Sequence, residues 1–94
     1  MSYALAVTDG AVASLHNLID SLPAANRRDA IEAVDAATQR LAANPGLGQS
    51  LYLGRRAYHF GFRVGDTGYH WGCAFLLTED ESEIQITHIF RVAL

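Results

Sequence analysis

The chain contains no lysine; all seven of its basic residues are arginine, against ten Asp and Glu, for a formal charge of −3. A protein that lives on non-specific phosphate contacts carries a basic surplus. Any nucleic-acid contact here must therefore come from a local arginine cluster and not from the overall field. There is one cysteine, Cys73, so no internal disulfide can form, which suits a reducing, cytoplasmic setting. No apolar run approaches the ~20 residues of a membrane span, and the start, MSYALAVTDG, lacks a basic region and a cleavage-like site. No signal peptide and no membrane segment are expected. Half of the 94 residues are hydrophobic, which excludes the disordered class and predicts a single domain over residues 1–94 with one modest core.

The pattern of what is present is a switch of period. Tyr3–Val7 is a short apolar strand, and Thr8 or Asp9 can cap the helix that follows. Val12, Leu15, Ile19 and Leu22 recur at helical spacing until Pro23, with Asn26 as a second cap candidate. Ile31, Val34, Ala37, Thr38 and Leu41 carry the next helix to the stop Asn44-Pro45-Gly46. The short link predicts an antiparallel helical hairpin. After a loop containing Tyr52, alternation takes over, with turns at Gly65-Asp66-Thr67-Gly68 and Glu79-Asp80-Glu81-Ser82. The predicted fold is α+β, in the order β-α-α-β-β-β, an antiparallel sheet with the helices packed on one face.

Centring the two turns on Asp66-Thr67 and Asp80-Glu81 predicts a register. Phe62–Trp71–Phe90, Phe60–Cys73–His88 and Tyr58–Phe75–Ile86 then form the face under the helices. The opposite face carries the row Arg63–His70–Arg91, a bare strip Gly61–Gly72–Ile89, and His59 and Thr87 beyond it. Adjacent glycines weaken a sheet, which suggests that something approaches the backbone there. Guanidinium forks beside such a ledge can seat a phosphate or a carboxylate. Arg63 and Arg91 can equally be solvated charges paired with Asp66 or Glu83.

The segment AYHFGFRVGDTGYHWGCAFLL, residues 57–77, resembles a strand ending in Arg, a short turn and a Gly-Tyr-Arg strand start. The closing ITHIFR, residues 86–91, and the LAANP helix stop, residues 41–45, fit the same pattern. Together they resemble the RelE/ParE toxins of type II toxin–antitoxin modules. The resemblance implies a toxin neutralised by a cognate antitoxin laid across it, and two activities. RelE-like members cut messenger RNA in the ribosomal A site; ParE-like members inhibit DNA gyrase. Arg63 matches the arginine closing the second strand, and Arg91 lies near the last-strand arginine. His70 stands where Gly-Tyr-Arg has its arginine, His59 and Gly61 stand where lysines are usual, and Leu94 ends the sequence without a terminal tyrosine. These departures favour a ParE-like protein that binds a protein target such as gyrase.

Two alternatives remain. In a metal-independent endoribonuclease acting on ribosome-bound mRNA, His70 would serve as general base while Arg63 and Arg91 hold the phosphate. In a non-toxic adaptor or homodimer, the polar sheet face would be buried between copies. No cofactor is expected: Gly46-Leu47-Gly48 lacks the features of a phosphate-binding loop, and no nucleophile elbow or catalytic carboxylate pair is present. No metal is expected either, because the register sends Cys73 and a buried His88 to one face and His59 and His70 to the other. His16 falls on a helix surface, and Tyr58 and Trp71 have core parity.

Overall fold

The computed structural model describes residues 3–50, 55–78 and 82–93. Its elements are β1 (Ala4–Val7), α1 (Asp9–Asp20), α2 (Ala24–Ala43), a single 3-10 turn (Pro45–Leu47), β2 (Gln49–Ser50), β3 (Arg55–Val64), β4 (Thr67–Thr78) and β5 (Glu83–Arg91). The fold is α+β, with five strands in the order β1-β5-β4-β3-β2. The sheet is mixed and not purely antiparallel, because β1 runs parallel to β5. The β1–α1–α2 path carries the chain over the sheet before it returns, and no local turn ties β1 to its partner. The expected loop also contributes the two-residue edge strand β2, paired to β3. Tyr52 and the turn residues Asp80 and Glu81 lie outside the described residues.

Thr8, and not Asp9, caps α1. Its Oγ1 accepts from the Ala11 amide at 3.2 Å and its hydroxyl donates to the Ile86 carbonyl at 3.1 Å. One side chain thus starts the helix and ties it to β5. Asn26 does not cap α2; Pro23 holds the N-cap position, and the Asn26 amide donates to the Tyr69 hydroxyl at 2.9 Å. The buried side of α2 includes Ala30, Val34, Ala37 and Leu41. The two alanines keep the helix close to the sheet. Trp71, Phe75, Ile84 and Ile86 fill the space beneath and are fully buried. At roughly 25 cal/mol per Å² of apolar area, these large side chains supply much of the driving force.

Two features of register decide where the polar residues go. The first hairpin closes on Gly65-Asp66, with Val64 opposite Thr67 and Gly65 at φ 60°. A glycine with positive φ at the first central position suits the tight two-residue turn. Moving the centre of the turn by one residue shifts the pairing by two. Arg63 therefore faces Gly68, Gly61 faces His70, and His59 faces Gly72. The expected Arg63–His70 and Gly61–Gly72 pairs do not form, yet every β3 side chain keeps its expected face.

The second hairpin behaves differently. From Thr78–Glu83 to Phe75–Ile86 the expected register holds, and then an irregularity between Ala74 and Phe75 shifts it by one. Thr87 is the extra residue, and its hydroxyl donates to the Ala74 carbonyl at 3.2 Å. Beyond this bulge Ala74 faces His88, Gly72 faces Phe90, and Trp71 faces Arg91. A one-residue slip exchanges the two faces. Ile89 therefore enters the core instead of lying beside Gly72, and His88, expected in the core, is exposed. Helix α1 braces the shifted segment: Ser14 Oγ accepts from the Ile89 amide at 2.9 Å.

Candidate functional site

The uncovered face of the sheet is built from β3, β4 and the shifted end of β5. Its central rows are Gly61–His70, His59–Gly72–Phe90 and Ala57–Ala74–His88, with Arg63 opposite Gly68 at the end. His59, Arg63, His70 and His88 are all exposed. None of the strand positions in these rows is Asp or Glu. Three imidazoles and a guanidinium thus share one face of a chain whose overall charge is negative.

The expected line of Arg63, His70 and Arg91 is broken. Arg63 and His70 lie in adjacent rows of the open face. Arg91, opposite Trp71, takes the parity of the helix-covered face because the Thr87 bulge has exchanged the two sides. Arg91 and His70 both line a rim depression of about 380 Å³ that also includes Ser21, Pro23 and Tyr69. A second depression of about 390 Å³, lined by Gly61, Phe62, Arg63, Gly68, Tyr69 and His70, holds the Arg63–His70 pair. Arg63 Nη2 reaches the Asp66 carbonyl at 3.5 Å, the limit of a hydrogen bond. The one ion pair among the described residues, Arg28–Glu32, is elsewhere, on exposed α2.

The expected strip Gly61–Gly72–Ile89 is not formed: the two glycines lie in neighbouring rows and Ile89 is in the core. A Cβ on Gly72 would sit 2.7 Å from Phe90 Cζ and 2.8 Å from His59 Cδ2, so two rings lie over this glycine. They meet edge to face, with centroids 5.8 Å apart and an interplanar angle of 83°. On the other side of Phe90, His88 is nearly parallel to it, at 6.2 Å and 12°. At Gly61 a Cβ would meet His70 Cε1 at 3.5 Å, an ordinary contact. The backbone is approached closely at Gly72 alone of these two, and by the protein's own rings. Thr87 does not join this surface; its hydroxyl is held in the bulge by Ala74.

The structure adds His88 and Phe90 to the open face, against their expected parity. The signal was Ile89, an apolar side chain of wrong parity beside a histidine of core parity. Moving His88 across also removes the argument that separated the histidines by face. Still, no three His, Cys, Asp or Glu side chains among the described residues come close enough to hold a metal. Cys73 is fully buried, and burial pushes its thiol up to about 11, so at neutral pH it stays protonated and offers no nucleophile. Among the described residues no helix is long and apolar enough to cross a membrane.

No protein-family model and no curated protein matches the chain. Solved structures do. A chain of the toxin–antitoxin complex RelBE2 from Mycobacterium tuberculosis superposes with a TM-score of 0.64 at 20% identity, covering 98% of this chain and 100% of that one. A mutant of the Escherichia coli toxin RelE in the free state gives 0.60 at 12% identity, covering 97% and 84%. A chain of the intact E. coli RelBE toxin–antitoxin complex gives 0.57 at 10% identity, covering 99% and 100%. At these identities the likeness is one of fold, and the fold is RelE-like. The preference for the ParE side finds no support in it.

Proposed function

We propose that this chain is the toxin of a RelE-type toxin–antitoxin pair and that it acts on RNA at the uncovered sheet face, in the cytoplasm. The observation that carries the reading is the exposed set His59, Arg63, His70 and His88 in rows free of carboxylates. In this chemistry His70 takes the proton from a ribose 2′-hydroxyl and the 2′-oxygen attacks the adjacent phosphorus. Arg63, in the adjacent row of the same face, steadies the charge that develops on the phosphoryl oxygens. His59 protonates the departing 5′-oxygen, leaving a 2′,3′-cyclic phosphate and a free 5′-hydroxyl end. No metal takes part. Arg91, on the opposite parity, has no place in this step. RelBE2 and E. coli RelBE are complexes of toxin and antitoxin, which supports a protein antitoxin as the natural partner here.

The test is inducible expression in a bacterial host, with 5′-end mapping of cellular mRNA. The wild type arrests growth and produces new 5′ ends. His70→Ala lowers cleavage by about 10²-fold or more, Arg63→Ala by about 10-fold or more, and Arg91→Ala by less than about threefold. Equal cleavage by wild type and His70→Ala, or cleavage by neither, overturns the mechanism. Growth arrest with intact mRNA would instead point to a protein target such as DNA gyrase.

A further inference from the structure

Phe90 and His88, which cluster with His59 beside Gly72, have no part in the proton transfers proposed above. Phe90 is placed there only because of the Thr87 bulge; without it the side chain would point under the helices. Its ring does not stand away from the sheet. It leans across β4 onto the one glycine whose missing Cβ makes room, and His59 leans onto the same glycine from β3. His88 continues the surface, almost parallel to Phe90. None of these rings is covered by a helix, and Phe90 remains partly exposed. The near-parallel rings of His88 and Phe90, with His59 set edge-to-face against Phe90, thus form an aromatic patch from two strands beside the Arg63–His70 pair. One row of an antiparallel sheet separates the two features, ~7 Å along the strands, the scale of one nucleotide.

We infer that the His59–Phe90–His88 surface is a stacking subsite for an unpaired base of single-stranded RNA, placed so that a base resting on Phe90 delivers a neighbouring phosphate to Arg63 and His70. The inference rests on the proposed action on RNA and adds to it where a base is held. An aromatic platform accepts any base because every base has a π face. A chain with no lysine and a net charge of −3 needs such a term, since the electrostatic part of its affinity is small. The occupant is a base and not an apolar peptide, because two of the three rings are imidazoles beside a guanidinium, and the depression of about 400 Å³ that His88 and Phe90 share with α1 is lined also by Ser14, Asn17, Ser21 and Arg91.

The experiment measures fluorescence anisotropy of a 5′-fluorescein-labelled ten-nucleotide RNA of mixed sequence, and of the same strand with abasic residues at its central positions, titrated with the full chain. Circular dichroism checks that each variant is folded. The wild type binds the RNA about 10- to 100-fold more tightly than the abasic strand. Phe90→Leu, which keeps an apolar side chain over Gly72 but removes the π face, loses most of that difference and binds both strands alike. Arg63→Ala weakens both strands equally. Equal wild-type affinity for the two strands, no wild-type binding at all, or an unchanged preference in Phe90→Leu overturns the subsite. The proposed mechanism fails separately. Base-dependent binding with no cleavage by wild-type protein leaves the platform standing without the nuclease. Cleavage that Phe90→Leu leaves untouched, with equal affinity for both strands, leaves the nuclease without the platform.

Discussion

Each face of the sheet has an aromatic ring lying on a glycine, and the two pairs differ in what lies above the ring. On the covered side Phe75 presses on Gly48, and a Cβ there would meet its Cε1 at 2.6 Å. Phe75 is fully buried and has nowhere to turn. On the open side Phe90 and His59 lie over Gly72 at slightly longer range, 2.7–2.8 Å from a Cβ there, and no helix covers them. The same geometry therefore does two different jobs. At Gly48 the absent side chain is a packing requirement of the core. At Gly72 it sets the pose of two exposed rings, and the fold does not depend on that pose.

What sets the two faces on the far half of β5 is the Thr87 bulge, so exchanging the two residues it has sorted, His88→Ile together with Ile89→His, is the most severe way to break the comparison. In the shifted register the exchange carries the isoleucine out of the core and drives the imidazole in. Losing a buried isoleucine and burying an imidazole in its place costs about 4 kcal/mol or more. Chemical denaturation is expected to show a largely unfolded chain. A double variant with wild-type stability would show that the shifted register is not the one the chain needs.

Gly48→Ala comes next. The added methyl meets a ring that cannot yield, and overpacking of this kind costs about 2–3 kcal/mol. The change is read from the denaturation midpoint, and an unchanged midpoint would mean that Phe75 has more room than its burial indicates. Ser14→Ala tests the brace behind the bulge. It removes the acceptor of the Ile89 amide, a buried-side partner seventy-five residues away in sequence. An amide left without that acceptor costs about 1–2 kcal/mol. Amide exchange at Ile89 should quicken by more than exchange at Ile86, whose segment is paired to β1.

These features also mark how far the sequence is legible. The helices follow from the spacing of Ile19, Leu22, Val34 and Leu41 and from the stops at Pro23 and Pro45, because capping and periodicity are local. The faces of β3 and β4 follow from alternation. Their pairing differs by two residues because the turn centres on Gly65-Asp66, one position before the expected Asp66-Thr67, and an even slip preserves parity. The parallel pairing of β1 is invisible because no turn connects the partners. The bulge is the costly omission. It depends on Thr8 and Ser14 of a distant segment satisfying the outer edge of β5, and alternation alone carries no trace of that except the misplaced Ile89. Alternation therefore places Arg63, His59, His70 and Gly72 on the face they occupy and exchanges Arg91, His88 and Phe90.

Gly72→Ala is the gentlest variant and the one that separates the two glycines most sharply. A methyl at Gly72 would come within 2.7–2.8 Å of Phe90 and His59, so the rings must move. The atoms it meets are the far edges of side chains with solvent above them, and swinging them aside costs little. Alanine also recovers part of what glycine loses in a strand, about 0.5–1 kcal/mol. The two effects nearly offset, and the expected change in stability is below about 1 kcal/mol, against the larger loss at Gly48. The ring arrangement, however, should not survive. Nuclear magnetic resonance is expected to show altered ring-current shifts at His59, His88 and Phe90 while Trp71 and the rest of the covered face keep theirs. If Gly72→Ala were as destabilising as Gly48→Ala, the rings on the open face would be fixed as firmly as those in the core, and the division of labour between the two glycines would not hold.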